Sequence, residues 1–268
     1  MIQTPSARTY ETKRVKEKEM IFGLHAVLEA IEAGRTFDKI LVRRDLSSSL
    51  GRQLLDRLSA MSGEMQTAVQ RVPVEKLNQF TDRNHQGVIA FLSPVEFYRV
   101  EDVIQAAYDK GETPLLMVLD NVTDVRNFGA IARTCVCAGV HGIVVGTRGS
   151  AAINGDAVKT SAGALHTLPV CKVENMQNAL QLMRDSGLNI VAATEHTDKN
   201  YTEADMTLPL AILMGNEEKG IYEGNLRLAT EQVRIPMQGT IESLNVSVAA
   251  GVMLYEAVRQ RNMVVNNQ

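Results

Sequence analysis

The sequence predicts an α/β protein in two modules, a small one followed by a larger one built on a parallel sheet. Three observations carry that prediction. Runs with the two-residue period of strands alternate with runs of helical period from Phe22 to Arg261. The helical runs of the second half are long enough to act as crossovers between parallel neighbours. Pro94 closes one such series, and Gly111-Glu112-Thr113-Pro114 breaks the chain before the next.

Each element follows from its own pattern. Ala26–Ala33 reads as a short helix and Lys39–Val42 as a strand. Ser47–Met61 places Leu50, Leu54, Leu58 and Met61 on one helical face. Thr67–Val72 reads as a strand, Val74–Phe80 as a short helix after Pro73, and Gly87–Leu92 as a strand. Val100–Tyr108 is a connecting helix with Val103, Ile104 and Ala107 facing inward. In the larger module the strand candidates are Leu115–Leu119, Gly142–Val145, Asn189–Ala193, Leu210–Met214 and Val233–Ile235. The helix candidates are Phe128–Ala138, Asn175–Asp185, Tyr222–Ala229 and Val246–Arg261. Strands and helices alternating in this way give a parallel sheet covered on both faces. Residues 1–18 mix charged and polar groups and read as a mobile extension.

Composition narrows the function classes. With 45% apolar and 22% charged residues, wholesale disorder is excluded. The net charge of −3 argues against a protein that coats nucleic acid by charge alone. That charge divides as +1 for residues 1–111 and −4 for residues 112–268, so the first module is the better partner for a polyanion. Cys135, Cys137 and Cys171 lack zinc-ligand spacing; the first two fall in an apolar helical pattern and read as small buried residues. Reduced thiols, with no apolar leader and no run of about 18 apolar residues, lead to the expectation of a cytoplasmic protein.

The usual catalytic and nucleotide motifs are missing. There is no G-x-G-x-x-G after a strand, no P-loop and no G-x-S-x-G, and the five histidines lack metal-type spacing. What remains are three polar clusters, each at the C-terminal end of a predicted strand, where ligands bind in open α/β sheets. The first runs from Leu119 through Asp120 and Asn127 to Arg133-Thr134, with Asn127 and Arg133 set among small residues. The second is Met214-Gly215-Asn216-Glu217-Glu218-Lys219-Gly220. The third runs from Ile235-Pro236-Met237 to Ser243-Leu244-Asn245-Val246-Ser247, and it holds more polar side chains than one helix cap requires. From Val246 a stripe of Ala249, Ala250, Met253, Leu254, Ala257 and Val258 reads as core or dimer surface.

Together these clusters resemble the three ordered motifs of the SpoU family of RNA ribose 2′-O-methyltransferases, in the SPOUT superfamily. Lys159-Thr160-Ser161-Ala162-Gly163-Ala164 and Leu168-Pro169-Val170 are similar to the family's middle segment. Phe22-Gly23-Leu24-His25-Ala26-Val27 and Asn84-His85-Gln86-Gly87-Val88 resemble the ribosomal-protein-like RNA-binding domain of one branch. That branch includes the enzymes that methylate a guanosine ribose in 23S rRNA. After the extension over 1–18, the resemblance implies an RNA substrate-binding domain over 19–97 and a catalytic domain over 98–268. It also implies a SPOUT-type parallel sheet closed by a trefoil knot, S-adenosylmethionine as cofactor, structured RNA as partner, and a homodimer packed through the knot region, with no metal and no membrane.

The resemblance further implies site residues. Arg133 is the catalytic residue, Asn127 positions it or the substrate, and Glu217, Ser243 and Asn245 line the site and support Arg133 and the ligand. Thr194, Gly215, Asn216, Ile235, Met237 and Leu244 cradle the cofactor, mostly through backbone. The reaction needs a weak 2′-hydroxyl to attack a sulfonium methyl, which calls for a base or a positive field. A guanidinium is a poor base, so Arg133 is read as an anchor for the target phosphate that stabilises the developing alkoxide, with proton acceptance left open. Arg126 reads either as a phosphate contact or as a solvated charge, and Arg43 and Arg44 likewise. His85 and Gln86 are candidate RNA contacts, and Ser247 reads as a helix cap. Two other readings stand beside this one: a tRNA ribose methyltransferase, and a non-catalytic RNA-binding assembly factor.

Overall fold

A computed structural model describes residues 20–60, 68–240 and 242–266. The expected extension over 1–18, Met61 and Thr67 lie outside the described residues. The chain separates into two compact units, one ending at Pro94 and one beginning at Val95.

The first unit is a four-stranded mixed sheet with helices on both faces. Its elements are β1 (Met20–Phe22), α1 (Leu24–Glu32), β2 (Phe37–Arg43), α2 (Ser49–Ala60), β3 (Ala68–Val72), α3 (Val74–Asn78) and β4 (Val88–Leu92). The strand order is β1-β4-β2-β3, with β2 and β3 parallel and the other pairs antiparallel. Side chains alternate as a strand requires. Ile40, Val42, Val88 and Ala90 pack with Val27, Leu28 and Leu54 of α1 and α2, whereas Leu41 and Ile89 pack with Leu77 of α3.

The second unit holds α4 (Val100–Asp109), β5 (Leu115–Leu119), α5 (Val125–Cys137), β6 (Gly142–Gly146), α6 (Gly155–Thr160), β7 (Val170–Val173), α7 (Met176–Asp185), β8 (Asn189–Ala193), β9 (Leu210–Met214), α8 (Glu223–Leu226), β10 (Glu231–Val233) and α9 (Val246–Asn266). Its six strands run in the order β10-β8-β9-β5-β6-β7, all parallel. Leu115, Met117 and Leu119 face a core shared with α5, α6 and α9, while Leu116 and Val118 face one shared with α4 and α7. Burial on both faces explains why these strands read as unbroken apolar runs. From β5 the chain builds outward through β6 to β7, then returns to the other side of β5 for β8, β9 and β10. The order therefore reverses between β5 and β9, and a crevice at that switch point is where such sheets bind ligands.

Several elements depart from the sequence reading, for local reasons. The helix expected at Tyr222–Ala229 shrinks to Glu223–Leu226, with Tyr222 as its N-cap and Arg227 as its C-cap. The strand expected at Val233–Ile235 is Glu231–Val233, because Arg234 leaves β8 and pairs with Asn200 instead. Helix α5 begins at Val125, three residues earlier than expected, because the Asp124 side chain accepts the Arg126 N–H at 2.7 Å and caps it. Strands β1 and β7 are too short to announce themselves by period. Cys135 is buried as expected, but Cys137 is exposed, on the outer side of α5. Burial pushes the Cys171 thiol up to about 12, with Glu101 and Asp102 adding to the effect.

The stripe of α9 proves to be core: Val246, Ala250, Met253, Leu254 and Ala257 are buried. At its far end Arg261 donates to four backbone carbonyls, those of Met206 at 3.2 Å, Thr113 at 2.9 Å, Pro114 at 3.0 Å and Leu208 at 2.9 Å. This clamp ties α9 to the entries of β5 and β9, and the burial it requires holds the guanidinium below its ordinary value. No local pattern announces it, since the role depends on where four distant carbonyls point. Arg261→Ala removes every one of these donors and should destabilise the protein by roughly 2–4 kcal/mol. Denaturant unfolding measures that loss, and a change under 0.5 kcal/mol would show that the carbonyls are satisfied without the clamp.

Candidate active site

The three polar clusters meet on one carboxylate at the switch point. Glu217, in the loop after β9, accepts hydrogen bonds at Oε1 from Asn127 Nδ2 at 2.7 Å and Asn245 Nδ2 at 2.6 Å. The Val246 N–H reaches the same oxygen at 3.3 Å, and Asn245 Nδ2 also donates to Asn127 Oδ1 at 3.1 Å. Asn127 is free for this because Asp124, three residues earlier, caps α5. At α9 the cap is Asn245, whose Oδ1 accepts the Ser247 N–H at 3.0 Å and the Ser247 hydroxyl at 2.5 Å. Ser247 thus donates to the cap, which corrects its reading as the cap itself.

The loop bearing Glu217 is built tightly. Asn216 and Gly220 exchange two backbone hydrogen bonds of 3.0 and 2.8 Å, and Asn216 Oδ1 accepts the N–H groups of Glu218 and Lys219. Asn216 Nδ2 crosses to the carbonyl of Asn121 at 3.0 Å, joining this loop to the one after β5. The Asn216 side chain is therefore occupied in building the loop. At Gly215 a Cβ would lie 2.3 Å from the Gly220 carbonyl carbon and 2.4 Å from the Ile221 nitrogen, so only glycine fits this close approach. Gly129, by contrast, lets α5 press on Thr160 of α6, a packing role.

Thr194, Gly215 and Ile235 follow the ends of β8, β9 and β10, three adjacent parallel strands, and Thr194 donates its N–H to Val233 at 2.9 Å. Ile235–Gln238, which includes Met237, is irregular backbone at the same sheet edge, and Leu244 is 37% exposed. Arg133 lies six residues beyond Asn127 on α5, about 120° around the helix and about 9 Å along it. It is exposed and makes no hydrogen bond with the Asn127–Glu217–Asn245 group. Neither Glu217 nor Asn245 makes a hydrogen bond with Arg133: Asn245 engages Asn127, Glu217 and Ser247, and Glu217 turns Oε1 to Asn127, Asn245 and the start of α9. Ser243 is exposed and does not join the group. Among the described residues no group of three or more His, Cys, Asp or Glu could hold a metal ion, and no helix is long and apolar enough to cross a membrane.

In the first unit, Arg44 and Gln86 are exposed, as Arg126 is in the second. Arg43 Nε pairs with Asp45 at 2.9 Å. Gln86, at φ 51°, accepts the Leu24 N–H at 3.0 Å and so secures the start of α1. His85 is 8% exposed; Nδ1 accepts the Gly87 N–H at 3.0 Å and Nε2 lies 2.9 Å from Asn78 Oδ1. Both nitrogens are engaged within the unit, so His85 is a scaffold of this turn and not a free contact. Burial, then the Arg43 charge, hold its pKa below the ordinary value. A histidine depressed in the fold adds stability in full above the unfolded value of about 6.5 and loses it as pH falls from there through its lower folded value. The melting temperature should therefore drop between pH 7 and pH 5.5, and His85→Asn should flatten that slope.

With this geometry in view, family models match both units. Residues 114–255 match the SpoU rRNA methylase model, and residues 20–98 match a model described as RNA 2′-O ribose methyltransferase substrate binding. The chain belongs to the SpoU rRNA methylase family. A protein of Staphylococcus saprophyticus assigned to the TrmH family of tRNA/rRNA methyltransferases is 35% identical over 254 residues, covering 92% of this chain and 98% of that one. A Bacillus subtilis protein of the same assignment is 31% identical, covering 93% and 98%. The crystal structure of an RNA 2′-O ribose methyltransferase matches with a TM-score of 0.55 at 27% identity, covering 97% of this chain and 98% of that one. The SpoU methyltransferase AviRb from Streptomyces viridochromogenes, solved with AdoMet, matches with a TM-score of 0.58 at 25% identity, covering 96% and 99%.

Proposed function

We propose that this protein transfers the methyl group of S-adenosylmethionine to a ribose 2′-hydroxyl of structured RNA, with a guanosine of 23S rRNA as the target. The observation that carries the reading is the meeting of three separate motifs on Glu217 at the switch point of the parallel sheet. The residues present fit the donor. Three neighbouring strand ends offer backbone at Thr194, Gly215 and Ile235, the Gly215 turn is too close for any side chain, and Met237 and exposed Leu244 offer apolar surface. When bound, the donor supplies an electrophilic methyl on a sulfonium.

The chain's own residues supply position and charge. Glu217 fixes Asn127 and Asn245 in one orientation and ties them to the start of α9. Arg133, exposed on α5, binds the phosphate of the target nucleotide and stabilises the negative charge that develops on the 2′-oxygen as the hydroxyl proton passes to solvent water. Residues 19–97 select the RNA, with Arg43, Arg44 and Gln86 among its contacts, and residues 98–268 perform the transfer. The likeness of the first unit to a substrate-binding model supports that division. The chain from Ile235 to Val246 returns from the sheet edge to Glu217 and α5, which supports a knotted C-terminal segment of the trefoil type. Exposed Val248 and Tyr255 on α9, seven residues apart on one face, and Val136 on α5 support a homodimer through this region.

Incubation with labelled S-adenosylmethionine and total unmodified RNA, followed by nucleoside analysis, tests the reading. Label in 2′-O-methylguanosine of large-subunit rRNA is the expected result. Label confined to tRNA-sized RNA would replace the target, and binding without transfer would favour an assembly factor.

A further inference from the structure

The carboxylate most deeply placed at the switch point belongs to none of the residues assigned above. Asp120 follows β5 directly and is 4% exposed. Its N–H donates to the Met214 carbonyl at 2.8 Å, extending the β5–β9 ladder by one residue. Its Oδ1 accepts from Asn121 Nδ2 at 2.7 Å, and its Oδ2 accepts the N–H of Tyr222, 102 residues away, at 2.7 Å. Tyr222 closes the loop that Gly215 opens, and Glu217 projects from that loop. At the other side Asn121, held in a left-handed conformation at φ 57°, offers its carbonyl to Asn216. Asp120 and Asn121 thus grip the Glu217 loop at both of its ends.

A burial this complete is costly for a carboxylate unless each oxygen is satisfied. Here both oxygens accept, and one of them does so only because the 215–222 loop lies where it does. We propose that Asp120 is a positioning residue of methyl transfer, which acts by seating the Glu217 loop so that Glu217 reaches Asn127 and Asn245. Its effect is confined to geometry: it meets neither RNA nor donor, and it reaches the reaction through Glu217. The proposal rests on the reading of Glu217 given above.

The test is a double-mutant cycle with Asp120→Asn and Glu217→Ala, measuring kcat and KM for methyl transfer, donor binding by calorimetry, and the melting temperature. Displacing a positioning group by about an ångström costs on the order of tenfold to a hundredfold in rate. Asp120→Asn is expected to lower kcat by that factor with little change in the KM for RNA. Since Asp120 acts through Glu217, the double variant should be no slower than Glu217→Ala alone. Additive losses would overturn the proposal while leaving the site reading intact. Undiminished transfer by Glu217→Ala would instead remove that reading, and the proposal with it.

A second pair of variants serves if Asp120→Asn does not fold. Tyr222 sits at φ −57°, a conformation proline adopts, so Tyr222→Pro deletes the N–H that Asp120 accepts. Tyr222→Ala keeps that N–H and is the reference. Tyr222→Pro slower than Tyr222→Ala by the same tenfold to hundredfold supports the proposal, and equal rates overturn it.

Discussion

Arg133→Ala should reduce the rate of methyl transfer by about a thousandfold while leaving binding of S-adenosylmethionine unchanged, since loss of one donor to a developing oxyanion costs on the order of 10²–10³ in kcat. Arg133 makes no hydrogen bond with the Asn127–Glu217–Asn245 group and stands exposed on α5, so its removal leaves no partner stranded. The melting temperature should accordingly stay within about a degree or two of wild type. Arg133→Lys separates charge from geometry. An ammonium keeps the positive field but loses the planar fork that grips a phosphate with two parallel bonds. A residual rate about tenfold to a hundredfold below wild type is expected for it. Single-turnover transfer with radiolabelled donor measures both, and full activity of the lysine variant would sink the geometric part of the argument.

Gly215→Ala is the second large effect, and it should act on donor binding before it acts on chemistry. A Cβ at that position would stand 2.3 Å from the Gly220 carbonyl carbon and 2.5 Å from its oxygen, both backbone atoms of the same closed loop. Neither can yield as a flexible side chain would, so the Asn216–Gly220 bridge must open. Affinity for S-adenosylmethionine is expected to fall by at least about a hundredfold, or ~3 kcal/mol. Calorimetric titration measures it directly, with circular dichroism to confirm that the sheet persists. Binding at wild-type strength would mean that the donor does not depend on this loop.

The fold was largely legible in the sequence because its signals are local. Unbroken apolar runs such as Leu115–Leu119 announce strands buried on both faces, and the stripe from Val246 to Ala257 announces a buried helix face. Failures came where partners set the boundary. Strand β10 stops at Val233 because Arg234 leaves β8 and pairs with Asn200 instead, and no property of Arg234 or Ile235 encodes that. The site was legible as three polar clusters at strand ends, but the partners of each residue were not. Asn127 is free to meet Glu217 only because Asp124 caps α5, which the residue string does not reveal. His85 read as an RNA contact, since a histidine in a polar turn gives no sign of whether its ring faces in or out. The roles of Asp120 and Arg261 are hidden for the same reason: each is one charged residue among many until its donors or acceptors converge on it.

By itself, then, the sequence determined the alternation of strands and helices, the parallel sheet of the second unit, the motifs that mark the family, and the strand edge at which they gather. Those properties depend on periods of two and 3.6 residues and on short ordered strings, which are all contained within a few turns of chain. The tertiary structure alone decided which of the polar residues share a hydrogen bond. Asn127 meets Glu217 across 90 residues, Asn245 meets Asn127 across 118, and Asp120 meets Tyr222 across 102. Hydrogen bonds are short and directional, so such pairings exist only after the sheet has brought the loops together. A one-dimensional pattern specifies where a loop will be, and the packed sheet specifies what it will touch.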